Sequence, residues 1–298
     1  MTTTRKILLA VFGVYLVSIV AVVVIFGFKR QDNEEFQPQN EFQLDTWIDL
    51  PGPMDFNKGV LYVIIAGILT TVSMVYIAKR MQARPNRVQT AVETIFAFVR
   101  DDITGGSMDD KMARKWFPFL CTLFLFIWFS NLIGYIPLPT NTHEKIDIGG
   151  VEVPSFAIYA ATANISIPLV LALVVFVSFN VEGIRAKGFI GYMKSLIPEG
   201  VGGAGAVPLF VLELVSNFMR LLSLSVRLFA NILAGHLIIL FMSGGLAVLL
   251  GLEVLGVVTL PAGVILFLFE LGLVATLQAF IFAVLSAIYL GGAVAEHH

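Results

Sequence analysis

The chain has 298 residues, of which 57 % are hydrophobic and 13 % charged, with a mean hydropathy of +0.87. A typical soluble domain carries about 25 % charged residues, so this composition excludes an ordinary water-soluble fold. The net charge of −2 gives no nucleic-acid footprint, and a single cysteine, Cys121, allows no internal disulfide.

Arg5 and Lys6 precede an uncharged run from Ile7 to Phe28. The run is about 22 residues long, against roughly 7–15 for a signal-peptide core, and no small-x-small cleavage site stands out. It reads as an uncleaved signal-anchor helix, with a cleaved leader as the alternative. Residues 29–58 are polar and read as an exposed outer loop. A second span runs from Gly59 to Ala78 and ends on Lys79-Arg80, with Arg84 and Arg87 close behind. That basic cluster marks the cytoplasmic side, which agrees with Arg5 and Lys6.

Residues 86–103 place Val88, Ala91, Val92, Ile95, Phe96 and Val99 at helical spacing, as in a short amphipathic helix at the cytoplasmic surface. Residues 101–111 are acidic and contain Gly, so a loop is expected. The third span is Trp116 to Ile136, ended by Pro137 and Pro139. Residues 137–155 read as a polar outer loop. The fourth span is Phe156 to Phe179, with Asn164, Ser166 and Pro168 inside. Pro168 is expected to kink it. Arg185, Lys187 and Lys194 return the chain to the cytoplasm.

A Gly-rich turn at residues 200–205 leads into an apolar run from Val207 to Ser243. As one helix it is about 55 Å long, against a hydrocarbon core of about 30 Å, so it must tilt, bend or project. Gly244-Gly245 can end it. A further apolar stretch starts at Leu246 and passes Glu253 and Pro261. The last helix runs from Ala262 to Gly292. The fold class is all-α: a polytopic membrane protein of about six helices, the last two forming a long, steeply tilted hairpin, with both termini cytoplasmic if the first helix is retained.

The long helix carries Glu213, Ser216, Asn217, Arg220, Ser223, Arg227 and Asn231. At about 100° per residue these share one face roughly 120° wide. Polar groups at mid-bilayer cost enough that such a stripe must face protein or water, and such residues are functional by default. Arg220 is expected to snorkel to the cytoplasmic interface. Arg227 lies deeper and stays charged, so it needs an acidic partner. Within the chain the intramembrane acids are Glu213, Glu253 and Glu270. His236 lies about 140° from Glu213 on the wheel and is expected to face the final helix and Glu270. A His beside a Glu suits proton exchange near neutral pH. On the last helix Gln278 and Tyr289 fall about 20° apart, with Glu270 about 80° away.

Other matches to known patterns have bland readings. Gly200-x-Gly202-x-x-Gly205 lacks the strand that a dinucleotide site needs. Asn164-Ile-Ser166 lies in a span, where glycosylation is excluded. His143-Glu144 has no second His four residues on, and Glu296-His297-His298 is a tail, so no metal site is expected.

Ser223-Leu-Ser-Val-Arg227-Leu-Phe-Ala-Asn231-Ile-Leu-Ala-Gly235-His236 resembles the signature of subunit a of rotary F-type ATP synthases. So does the run from Leu277-Gln278-Ala-Phe-Ile-Phe282 to Tyr289-Leu290. Weaker matches are Gln89-Thr-Ala-Val-Glu93, Phe117-Pro-Phe119 with Asn131-Leu-Ile-Gly134, and Thr162-Ala-Asn164-Ile. The likeness covers roughly residues 55–295.

The resemblance implies the static half of a proton-driven motor in a bacterial plasma membrane. Its partners would be a rotating ring of c subunits, b-type peripheral stalk subunits and the lipid bilayer, with no nucleic acid. Two aqueous half-channels would meet near the ring, separated by Arg227. Asn231, His236, Glu270 and Gln278 match the outer half-channel, and Glu213 an acid of the cytoplasmic one. Tyr289 joins the same proton-translocation set. Residues 1–58 are then the signal-anchor helix and outer loop, and residues 59–295 the proton-channel membrane domain. No nucleotide or other cofactor would bind, and no catalytic residue is assigned. Two departures stand out. Many relatives have Glu at the position of His236 and His near Glu270, and many lack the first span. A self-contained channel or antiporter is the rival class, in which Arg227 pairs within the chain; a membrane enzyme lacks a catalytic constellation.

Overall fold

The computed structural model describes residues 46–48, 56–82, 84–148, 150–197, 205–242 and 253–295, with a few isolated positions before residue 46. The span expected at residues 7–28 lies largely outside them, as does the turn at residues 200–204. Among the described residues five helices are long and apolar enough to cross a membrane. Helices satisfy this requirement because every interior N–H and C=O finds its partner within the segment.

Two short strands, β1 (Thr46–Ile48) and β2 (Phe56–Asn57), pair antiparallel within the stretch expected to be a loop. Helix α1 (Lys58–Arg80) comes next, started by Asn57, whose Oδ1 accepts from Val60 N at 3.1 Å. Helix α2 (Arg87–Phe98) is capped by Asn86 in the same way, at 2.8 Å. Gln89 folds the preceding turn against it: its Oε1 accepts from Gln82 N and its Nε2 donates to Gln82 O, both at 3.0 Å. The expected loop after α2 instead continues as a π-helical turn, Val99–Gly105, with Val99 and Ile103 fully buried.

Helix α3 (Asp110–Gly134) starts before the expected Trp116, and α4 (Ser166–Lys187) runs past the expected Phe179. A hydropathy window stops where charges begin, but these charges sit on continuing helix, and Lys115 on α3 pairs with Glu182 on α4. The start of α4 moves in the other direction. Asn164 Oδ1 accepts from Ser166 N at 2.9 Å and turns the chain into the helix there. Pro168 therefore falls in the first turn, where its missing N–H has no intrahelical partner to lose, and the expected kink has no cause.

Residues 138–157 form an antiparallel hairpin, β3 (Leu138–Ile148) with β4 (Val151–Ala157), rather than a loop. The register pairs Ile148 with Val151 and Leu138 with Ala157. Gly150, at φ +90°, supplies the left-handed turn, and β-branched residues flank it.

Helix α5 (Phe189–Ser195) is short, and α6 (Ala206–Leu240) is the expected long helix. The last helix begins at Glu253 rather than Ala262, so Pro261 lies inside it: α7 (Glu253–Phe269), a π-helical turn at Glu270–Val274, and α8 (Ala275–Val294) are continuous. A membrane helix tolerates proline when neighbouring groups re-satisfy the freed carbonyl.

The chain divides into two compact units. The larger holds residues 46–137, 160–233 and 274–298. In it α3 packs against α1 and α8, and α4 against α8. Its core is Phe-rich and is centred on Ile127, Leu120, Phe124, Phe179, Leu228 and Phe282. Fully buried Asn131 ties three segments together: Thr162 Oγ1 donates to its Oδ1 at 2.7 Å, and its Nδ2 donates to Ala275 O at 3.2 Å. The other unit includes residues 138–159 and 234–273, and so contains the second hairpin, the end of α6 and all of α7.

Gly134 permits the Asn131 contact. A Cβ there would overlap Ala160 Cβ and lie 2.6 Å from Ala160 Cα. Gly134→Ala is expected to push α3 away from the 160–163 turn and destabilise the protein by about 1–3 kcal/mol, read as a lower thermal midpoint in detergent. An unchanged midpoint would disprove this packing.

Candidate functional site

Helix α6 divides its polar stripe between different surroundings. Around its middle, Ser223, Val226, Arg227, Ala230 and Asn231 are exposed, while Leu221, Leu224, Leu228 and Ile232 face the core. The exposed face is thus narrow, made of small residues, and carries one guanidinium and one carboxamide. No salt bridge or hydrogen bond joins Arg227 to a carboxylate among the described residues. The in-chain pairing that the rival reading requires is not seen there, and the side chain of Glu253 lies outside the described residues.

Toward the start of α6 the stripe turns inward. Arg220 Nη2 donates to Glu213 Oε1 at 3.2 Å. The guanidinium also lies over the Tyr289 ring, 5.6 Å from its centroid. Arg220 is therefore held by two partners, Glu213 on its own helix and Tyr289 on α8. Residues i and i+7 on a helix lie on the same face, which lets Glu213 and Arg220 meet. Tyr289 comes from α8 and is steadied by Phe179, at 6.0 Å between ring centroids.

Glu213, Asn217 and Arg220 line a cavity of about 190 Å³ together with Tyr192, Lys187 and Ser195. Tyr192 belongs to α5, and its hydroxyl donates to Asn180 Oδ1 on α4 at 2.9 Å. Asn217 Nδ2 donates to the same oxygen at 3.3 Å. Gly183 makes room for this: a Cβ there would overlap the Tyr192 ring. Burial pushes the Tyr192 phenol above its ordinary range, against opposing effects of the nearby Asn217 amide and the Arg220 charge. The hydroxyl thus stays protonated and donates. Lys187 Nζ donates to Ala295 O at 2.8 Å and ties the end of α4 to the end of α8.

The second group of predicted residues lies in the other unit. His236 is 3 % exposed and Glu270 9 %. The Glu270 carboxyl presses on the backbone of α6 at Gly235: a Cβ there would overlap Oε2 and lie 2.5 Å from the carboxyl carbon. Gly235 is thus the position that admits an acid to the helix surface next to His236. Glu270 opens the π-helical turn, which is wider than an α-turn and changes the rotational phase of the helix beyond it. The wheel angle between Glu270 and Gln278, which assumes a regular helix, does not hold across it. Gln278 is buried on α8.

The structure therefore brings together Glu213, Arg220 and Tyr289, sets Arg227 and Asn231 side by side on an exposed face, and places Glu270 against the turn that carries His236. Nothing in the sequence singles out Asn180 or Tyr192. Both sit in or next to a basic segment that reads as a plain cytoplasmic return, and no local pattern reveals that α5 folds back onto α4.

A family model described as ATP synthase A chain matches residues 60–291. ATP synthase subunit a of Rubrobacter xylanophilus is 36 % identical over 242 residues, 80 % of this chain and 83 % of that protein. The corresponding subunit of Paramagnetospirillum magneticum is 32 % identical over 87 % of this chain and 99 % of that protein. That of Pseudarthrobacter chlorophenolicus is 29 % identical over 93 % of this chain and all of its own length.

The contact at Gly235 is open to a double-mutant cycle. Gly235→Ala should displace the Glu270 carboxyl and lower stability by about 1–3 kcal/mol. Glu270→Asp, shorter by one methylene, should recover part of that loss when combined with it. A coupling of zero between the two substitutions, measured by thermal unfolding in detergent, would disprove the contact.

Proposed function

This chain belongs to the ATP synthase A chain family, a subunit of the membrane sector, and from that membership we propose that it carries protons to and from a rotating ring of c subunits. The observation that carries the proposal is Arg227: an exposed permanent charge on a membrane helix, without a carboxylate among the described residues. A charged side chain at mid-bilayer costs about 2.5–3.5 kcal/mol on insertion scales, so Arg227 needs a partner, and its exposed position on α6 suits one from a neighbouring subunit. A carboxylate carried on a neighbouring helical ring supplies it. The small residues Ser223 and Ala230 beside Arg227 allow a helix to approach closely.

The chemistry is dictated by charge. A ring carboxyl passing through lipid travels neutral, because hydrocarbon does not solvate the anion. Beside Arg227 the ionised form is favoured, and the proton leaves into one of two half-channels. The guanidinium does not give up its own proton, so it also bars direct passage between them. Asn231, His236, Glu270 and Gln278 serve the outer half-channel in this reading, and Glu213 with Tyr289 the cytoplasmic one. His236 suits a relay because imidazole exchanges protons near neutral pH. The chain acts as the non-catalytic stator subunit, held by b-type stalk subunits in a bacterial plasma membrane, with both termini on the cytoplasmic side if the first helix is retained.

In inverted vesicles carrying the complete complex, Arg227→Ala is expected to abolish ATP-driven proton pumping, and His236→Ala to reduce it. Full coupled activity in the Arg227 variant would refute the role assigned to it. The purified chain without a c ring should pass no protons in liposomes. Transport by the isolated polypeptide would favour a self-contained channel instead.

A further inference from the structure

One backbone carbonyl sets the polarity of the hydrogen-bond chain beside Glu213. Phe176 O can only accept, so it takes the Asn180 amide nitrogen, at 2.7 Å. Asn180 Oδ1 then faces away from the α4 backbone. It accepts twice, from the Tyr192 hydroxyl and from Asn217 Nδ2. With its nitrogen committed to Asn180, Asn217 must turn its own carbonyl oxygen elsewhere. That side chain is 4 % exposed, and its Oδ1 receives no hydrogen bond among the described residues. A buried amide oxygen without a donor is costly, so the site calls for a donor that protein does not provide.

The cavity indicates what the donor is. Asn217 lines about 190 Å³ of space with Glu213 and Arg220. A water needs only about 10–15 Å³ of such volume and two to four polar partners, so several fit. Asn217 stands one turn from Glu213 on α6, on neighbouring surface. Arg220 occupies Glu213 Oε1. No hydrogen bond reaches Oε2 among the described residues, which leaves that oxygen for exchange.

We propose that Asn217 Oδ1 holds a water or hydronium next to Glu213, oriented by the Asn180–Tyr192 pair, and that protons enter and leave Glu213 through it. In the forward step hydronium gives its proton to the Glu213 carboxylate, leaving neutral acid and water; the return step is the reverse. Asn217, Asn180 and Tyr192 are positioning residues in this scheme and carry no proton themselves. The proposal rests on the reading of Glu213 as a member of the proton path.

The test uses vesicles bearing the complete ATP synthase, stripped of its catalytic head, with passive proton conductance measured under an imposed pH gradient. Asn217→Leu is expected to lower conductance about tenfold, the effect on a rate of losing one hydrogen-bonded water. Asn217→Ser leaves a hydroxyl and room for a second water, and should stay within about twofold of the parent. A packing role predicts the opposite order, since Leu fills the site and Ser opens a void. Parental conductance in the Leu variant, or a Ser variant as slow as Leu, would overturn the proposal. Should the Leu complex not assemble, Asn217→Ala against Asn217→Ser decides on the same terms. Tyr192→Phe should slow conductance by about two- to threefold, because it removes one of the two donors that hold Asn180 Oδ1 in place for Asn217. Glu213→Gln separates the two levels. If it conducts normally, the placement of Glu213 in the path fails; if it blocks while Asn217→Leu conducts, only the role of Asn217 fails.

Discussion

A guanidinium keeps its charge, and hydrocarbon does not solvate it. Those two facts constrain α6 more than any packing contact does. Arg220 meets the constraint within the chain, through Glu213 and the face of Tyr289. Among the described residues Arg227 has no such partner, and it lies exposed among small residues. The same helix thus treats two arginines two turns apart in opposite ways. A neutralised arginine serves structure. An arginine left open costs stability unless something else arrives, and the proposed function makes that arrival the working event of the machine.

The rest of the fold is arranged so that polar groups near the site do not move. Glycines do much of this by admitting neighbours that a methyl group would exclude. Gly134 lets Ala160 reach α3, which brings Thr162 to Asn131. Gly183 lets the Tyr192 ring lie on α4. Gly235 lets the Glu270 carboxyl touch α6. At each place the missing methyl lets a neighbour lie directly on the helix surface. Interiors this close-packed leave few alternative arrangements, which suits the proposed stator role.

The membrane helices are legible in the sequence because hydropathy reports directly what lipid demands. Their ends are not, because a hydropathy window stops at charge while the backbone continues. Lys115 and Glu182 fall outside the apolar cores of α3 and α4, yet they sit on helix and pair. The hairpin at residues 138–157 reads as a loop in sequence because its polar residues mask the β-branched run around Gly150. At the site, Glu213, Arg227, Asn231 and Gln278 stand out because each is polar amid apolar residues. A helical wheel cannot place Glu270, since the π-helical turn it opens breaks the regular phase. Nor can it show that Arg220 and Glu213 pair, because a shared face permits a contact without requiring it.

Asn180 is invisible in the sequence for a further reason: its importance is directional. Near the basic end of a span an asparagine is ordinary by composition. What matters is that Phe176 O takes its nitrogen and so decides which way its oxygen points. That choice passes to Tyr192 and Asn217, and ends on an oxygen buried beside Glu213. A chain of amides transmits orientation because each has one accepting and one donating end. Two serines or two waters in the same places would reorient freely and transmit nothing. The cavity wall at Glu213 is therefore polar in a defined sense, set by a helix carbonyl, whereas the surface at Arg227 is defined by charge alone. If protons move past both, the first arrangement orders their carriers and the second stops them from crossing.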